Sequence, residues 1–247
     1  MYIINATARS SFIDGLRFRY TRELPTKSIG NINDIMFAAT HLYAYGTPFA
    51  NRGKGKQLHY TPADIPHLET ALEVFVEMVW QYFNEKPYTQ NKQENFDLFH
   101  EKLCDEFLDA FEEDGVYTHT YGNAQKMVNM LFKYLTCFSD YEDYADLFSY
   151  SHVPIDGIIL GKFALVYHVP GTKGTVKDGY YHGTYRGNVW SKMDKEDYMS
   201  LLNEYRATLT SVKGLNSWLG LEYAIWSGAP IPIGGVHAPM IPLFYCM

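Results

Sequence analysis

Two side chains of this sequence are of the right types to act on one another: Lys126, in AQKMVNM, and Asp156, in HVPIDGII. Lys126, Asn129 and Lys133 recur at i, i+3 and i+7, so they share one face of a helix, a polar face carrying two cations. Pro154 biases Val153 to an extended backbone. Asp156 then stands where a carboxylate caps a helix or enters its first turn, ahead of Ile158, Ile159 and Leu160. A helix lysine and a helix-start aspartate brought together by a turn form a chemical pair, with ionic and acid–base chemistry open to it.

The elements that must position this pair can be read from periodicity. Met127, Val128, Leu131, Leu135 and Phe138 form one apolar stripe, predicting a helix over 124–138. An acidic, aromatic connector follows from Asp140 to Tyr150. Upstream, residues 1–30 read as an irregular basic entry with a helical piece near Phe12–Tyr20. A helix is predicted over 31–46, with Asn31 or Asn33 as cap and Gly46 as stop. NRGKGK (51–56) reads as a Gly-rich basic loop. Residues 61–83 carry a strong helical stripe, with Thr61 or Asp64 at the cap. A further helix over 92–113 turns Phe96, Phe99, Leu103, Phe107 and Phe111 inward and ends at Gly115. Past Leu160 the character changes: 163–192 is rich in Gly, Tyr and basic residues with β-like alternation, as in a hairpin or a long functional loop. Helices are expected again over 193–212 and, shorter, near GLNSWLGLEYAIWSG, before a Pro-broken extended tail. The expected fold is all-α with a Gly/Tyr-rich loop or hairpin insertion near 163–192, in one helical domain spanning 1–247.

Composition narrows the function. A hydrophobic content of 47% with 20% charged residues is that of a globular protein, and no apolar run approaches the roughly 20 residues of a membrane helix. The start MYIINATARSS lacks a signal peptide's basic and apolar regions. Cys104, Cys137 and Cys246 are odd in number and show no metal-ligand spacing, so a reducing cytoplasm is expected, with neither zinc nor a disulfide framework. The nine histidines are scattered, and no metal or cofactor is predicted. The net charge of −7 argues mildly against nucleic acid. Its distribution softens that: Arg9, Arg17, Arg19, Arg22, Lys27, Arg52, Lys54 and Lys56 face only Asp14, Glu23 and Asp34 in the first 60 residues. The GxSxG, HExxH, GxGxxG, P-loop and zinc-deaminase signatures are all missing.

The order of a lysine-bearing helix, a connector, and V-P-I-D at a helix start resembles the active-site segment of helix-hairpin-helix DNA glycosylases. The resemblance covers about 40 residues. The separation of thirty positions between Lys126 and Asp156 is similar to the archaeal 8-oxoguanine glycosylase branch, and the chain also looks like phage- and defence-associated relatives acting on hypermodified bases. The glycine-rich hairpin that precedes the lysine in that superfamily is reduced here to Gly122. The resemblance implies catalysis by Asp156 and Lys126 on double-stranded DNA carrying a modified base, an enlarged or glucosylated pyrimidine of phage DNA among the options. Asp156 would stabilise positive charge on the sugar or orient a water, while Lys126 would attack the sugar if deprotonated or hold a phosphate if charged.

A flipped base needs a stacking partner and polar groups to read it. Trp190 is the first choice for stacking, and Asn129, Gln125, Glu222 and His152 complete the predicted substrate-binding set. Lys133, Gly122, Arg186 and Lys173 are the predicted DNA-backbone contacts; the last two lie in the Gly/Tyr-rich stretch, whose interleaved cations and aromatics suit stacking and phosphate contact. Two other readings stay open: a glycosylase-fold enzyme that hypermodifies thymine, and a non-enzymatic nucleotide- or DNA-binding module in which Asp156 only caps a helix. No protein partner is inferable.

Overall fold

The computed structural model describes residues 6–15, 19–45, 51–53, 56–58, 68–85, 90–112, 119–210 and 217–227. It is mainly helical. In order come α1 (Ala6–Gly15), a 3-10 segment (Arg19–Thr26), α2 (Ile32–Tyr45), α3 (Leu68–Glu85), α4 (Lys92–Glu112), α5 (Tyr121–Leu135), α6 (Ala145–Phe148), α7 (Gly157–Leu165), α8 (Lys195–Leu209) and α9 (Trp218–Ser227). Two antiparallel hairpins interrupt them, β1 (Asn51–Gly53) with β2 (Lys56–Leu58), and β3 (Thr172–Lys177) with β4 (Tyr180–Tyr185). None of the helices searched is long and apolar enough to cross a membrane.

The predicted stripes become the core. On α3, Leu68, Leu72, Phe75, Val76, Val79 and Phe83 are buried, and Trp80, at the edge of that stripe, donates its indole N–H to the Gly30 carbonyl at 3.0 Å. On α4, Phe96, Leu103, Phe107 and Phe111 are buried, while Phe99 is partly buried and stacks on Tyr82 at 4.8 Å. Phe96 meets Phe132 edge-on at 5.5 Å and Phe83 meets Phe148 at 4.7 Å. Such pairs contribute about 0.5–1.5 kcal/mol each beyond their area. The buried apolar side chains from α1 to α9 join in one cluster.

Helix α5 begins earlier than its stripe predicts. Thr120 caps it by accepting from the Asn123 amide, and the Asn123 side chain answers the Thr120 amide, so two orphan N–H groups are satisfied at once. The helix packs against α2, α4 and α8. Its polar face is therefore not a solvent face: Gln125, Asn129 and Lys133 are buried along with the apolar stripe, and they need partners inside the protein.

Several expectations shift in detail. The segment at 51–58 contains the short β1–β2 hairpin where a loop was expected. The acidic connector is itself helical, a 3-10 turn at Tyr141–Tyr144 running into α6. Asn31 is the α2 cap residue, its side chain accepting from the Asn33 amide at 3.1 Å. Gly46, Thr61, Asp64, Ile65, Gly115 and the Pro-broken tail lie outside the described residues.

The Gly/Tyr-rich stretch resolves into the β3–β4 hairpin. Asp178 (φ 52°) and Gly179 (φ 80°) form its two-residue turn, both in the left-handed region that a tight hairpin requires. Its inner side lies on α7 backbone to backbone. A Cβ on Gly183 would sit 2.2 Å from the Gly161 nitrogen, and one on Gly174 would sit 3.0 Å from the Gly161 oxygen. Only glycine allows that approach.

Candidate functional site

Lys126 and Asp156 meet. Lys126 Nζ donates to Asp156 Oδ2 at 2.8 Å, and the two side chains are 8% and 17% exposed. Asp156 is the α7 N-cap: its other oxygen, Oδ1, accepts from the amides of Ile158 (3.0 Å) and Ile159 (2.9 Å). The residue that closes the thirty-position gap is Gln125. Its Oε1 accepts from the Ile155 amide at 3.1 Å and its Nε2 donates to the Ile155 carbonyl at 2.8 Å. Gripping both backbone groups of Ile155 fixes the Val153–Pro154–Ile155 turn, which is fully buried, and delivers the next residue to Lys126.

Behind Gln125 lies a buried polar network. Asn129 Nδ2 donates to Gln125 Oε1 (3.1 Å) and to the Tyr198 hydroxyl (3.2 Å), and its Oδ1 faces His100 Nε2 at 3.0 Å. His152 joins Tyr198 (Nδ1, 2.8 Å) to Asp97 (Nε2, 2.9 Å), and Arg206 grips the same carboxylate with both terminal nitrogens. One pattern of protons satisfies every contact. An ionised Asp97 only accepts, so His152 Nε2 carries the hydrogen and Nδ1 receives the Tyr198 O–H. Asn129 Oδ1 only accepts, so His100 carries its hydrogen on Nε2, leaving Nδ1 to face Cys104 Sγ at 3.7 Å. Burial agrees with neutral rings: it pushes His152 down to about 4 and His100 well below its usual value. At Asp97 burial works against ionisation, but the His152 and Arg206 hydrogen bonds outweigh it and hold the carboxyl below its normal range.

This network corrects three expected roles. Gln125, Asn129 and His152 are buried inside it and face neighbouring helices, where they build the turn that carries Asp156 and are closed off from a base. Sequence reasoning missed Asp97, Tyr198, Arg206 and His100. For His100 a signal exists: it sits at i+4 from Phe96 on the apolar stripe of α4, where an imidazole needs an internal partner. Arg206 offers no local signal.

Seven residues along α5, Lys133 forms a second pair, with Glu222 of α9 at 2.7 Å and side-chain exposures of 2% and 0%. Its ammonium also lies 4.0 Å from the Phe12 ring centroid. Burial pushes Lys133 down and Glu222 up, each opposed by the charge of the other. The expected phosphate contact of Lys133 and base contact of Glu222 are thereby corrected, since both side chains are sealed in the core.

A cleft of about 500 Å³ opens at the start of α7, lined by Gly157, Trp190 and Ser191 on one side and by Lys173, Thr175 and His182 of the hairpin on the other. Trp190 and Lys173 thus line the same cleft as Gly157, the residue that follows Asp156. Arg186 is exposed over the Tyr185 ring at 5.2 Å and does not line this cleft. Gly122 is corrected: its amide donates to the Met193 carbonyl at 2.9 Å, and a Cβ there would overlap the Trp190 carbonyl, so it seats the Trp190 segment on α5 and offers no open amide to a phosphate. No group of three or more His, Cys, Asp or Glu among the described residues is placed to hold a metal ion. The arrangement therefore offers a partly exposed carboxylate, ion-paired and pre-oriented by two amides, one residue from a cleft lined by Trp190 and the hairpin. Comparison with protein-family models, with curated proteins and with solved structures found no match, so the function is argued from this geometry.

Proposed function

We propose that the chain is a DNA N-glycosylase-like enzyme that removes a modified base from DNA and leaves an abasic site. The observation that carries this reading is the 2.8 Å contact between Lys126 and Asp156, whose next residue, Gly157, lines the Trp190 cleft. Breaking an N-glycosidic bond builds positive charge on the sugar. A carboxylate already fixed by two amides needs no reorganisation to meet that charge, and one such group contributes on the order of 3–4 kcal/mol to the barrier. The base would leave the stack at a cost of a few kcal/mol, offset by stacking on Trp190. Lys126, held as an ion-pair donor, has no lone pair to spend on the sugar, which favours hydrolysis over imine formation and leaves Lys126 to orient Asp156 or hold a phosphate.

One observation favours a second, non-enzymatic reading. Asp156 Oδ1 is fully engaged in capping α7 and Oδ2 in the ion pair, as in a purely structural joint of a DNA-binding module. Duplexes carrying plain or enlarged pyrimidines, incubated with the protein and then heated in alkali, separate the two. Strand breaks at the modified positions support the enzyme; intact strands with every duplex, alongside equal DNA affinity in wild type and Asp156→Asn, support the binder. A borohydride-trapped adduct that depends on Lys126 would overturn the hydrolytic form of the proposal.

A further inference from the structure

In the helical body Lys27 pairs with Asp34 (3.4 Å), Lys92 with Asp146 (2.7 Å), Lys195 with Glu101 and Asp105 (2.7 and 2.9 Å), and Arg206 with Asp97, while Arg9 and Lys162 bond to backbone carbonyls and the exposed Arg22 and Lys102 stand apart from one another. The hairpin and the turn after it gather such cations in one short stretch. Among the described residues Lys173, Lys177 and Lys192 have no carboxylate within ion-pair distance, and Arg186 comes only to 4.0 Å of Asp197 while 47% exposed. From residue 170 to 192 these four cations stand against Asp178 alone, inside a chain of net charge −7.

The register sorts the hairpin into two faces. Lys173 pairs with Thr184, Thr175 with His182 and Lys177 with Tyr180, and cross-strand partners share a face. That outer face holds two lysines, a histidine, a tyrosine and two threonines, with no carboxylate. The opposite face carries Gly174 and Gly183 and lies directly on the backbone of α7. The same α7 is capped by Asp156.

We infer that the outer face of the β3–β4 ribbon is a DNA-backbone surface, with Lys173 and Lys177 neutralising phosphates of a duplex. Because glycine contacts seat the ribbon on α7, a strand held there lies at a set distance from Asp156, and the Trp190 cleft lies between the two. A two-stranded ribbon is narrow enough to follow a groove of B-form DNA, and its hydroxyls and amines are the groups that contact phosphate and sugar. This deepens the glycosylase reading by naming the surface that meets the partner, and it rests on that reading only for the partner's identity.

The test is binding of the full chain to a fluorescent, unmodified duplex of about 20 base pairs across a salt series, since each phosphate neutralised adds about 0.9 to the slope of log affinity against log salt. Lys173→Ala with Lys177→Ala, both exposed side chains, is expected to lower that slope by about 1.8 with an unchanged melting temperature. Lys102→Ala, an exposed lysine of the acidic helix α4, leaves it unchanged. The duplex is unmodified and the assay reads no base release, so a lost grip is distinguished from lost chemistry. An unchanged slope in the double variant, absence of duplex binding by the wild type, or binding to phosphatidylserine vesicles in place of the duplex overturns the inference.

Discussion

Helix α5 carries two lysine–carboxylate pairs of the same chemistry seven residues apart, and they have opposite characters. Lys133–Glu222 is sealed, at 2% and 0% exposure, whereas Lys126–Asp156 keeps 8% and 17%. The sealed pair has lost its water, so its two charges depend on neighbours inside the protein, first of all on each other. The outer pair retains a path to solvent beside a cleft, and its carboxylate is additionally held by helix amides. Burial, and not residue type, separates a sealed pair from one that solvent reaches.

The largest effect that would break this comparison is at the sealed pair. Glu222→Ala leaves an uncompensated buried ammonium and is expected to cost about 3–5 kcal/mol in denaturant unfolding, while Lys133→Met combined with Glu222→Leu restores most of it. A cost of the same size at Asp156 would erase the distinction.

Next comes the network that carries Asp156. Burial holds His152 at about 4 in the folded protein, against about 6.5 when exposed. The unfolded chain thus binds a proton that the folded one refuses. Stability is complete above about pH 6.5 and falls as the pH drops toward 4, by about 3 kcal/mol for His152 alone. His100 and His119 shift in the same direction and steepen the slope. Asp97, held low, gives up its contribution only below about pH 4, outside that window. Unfolding free energies measured between neutral pH and about pH 4.5 check the sign; a flat profile contradicts the neutral-histidine network.

Smaller effects sharpen the contrast on the outer side. Gly183→Ala drives a Cβ to 2.2 Å from the Gly161 nitrogen, which must lift the ribbon from α7 at about 1–3 kcal/mol, read as a lowered melting temperature. Asp156→Asn keeps one oxygen to cap α7 but turns an NH2 donor toward Lys126, so the ion pair is lost at a cost of about 1–2 kcal/mol.

How legible was this in the sequence? The stripes of α3, α4 and α5 were, because an apolar residue every three to four positions has one low-energy solution when a core must be buried. The Lys126–Asp156 meeting and the Asp156 cap were also legible, since Pro154 and the following aliphatic run fix where α7 starts. What was not legible is which polar residues face inward. Gln125, Asn129 and Lys133 look like a solvated face until α4, α8 and α9 close over them. Asn129 and Lys133 meet Tyr198 and Glu222 from 69 and 89 residues away, and Arg206 reaches its own partner, Asp97, across 109. Long-range closure of that kind leaves no local pattern. The hairpin was half legible, its composition marking an exposed ribbon while the glycine contacts with α7 depend on the packed structure.

The central claim is that Asp156 is placed for chemistry and not only for capping, and abasic-site formation by the Asp156→Asn protein tests it most directly. The account predicts a folded protein that binds duplex DNA like the wild type but releases a modified base about 100- to 1,000-fold more slowly. Equal release by the two proteins would contradict it, and Asp156 would then be a helix cap with a lysine beside it.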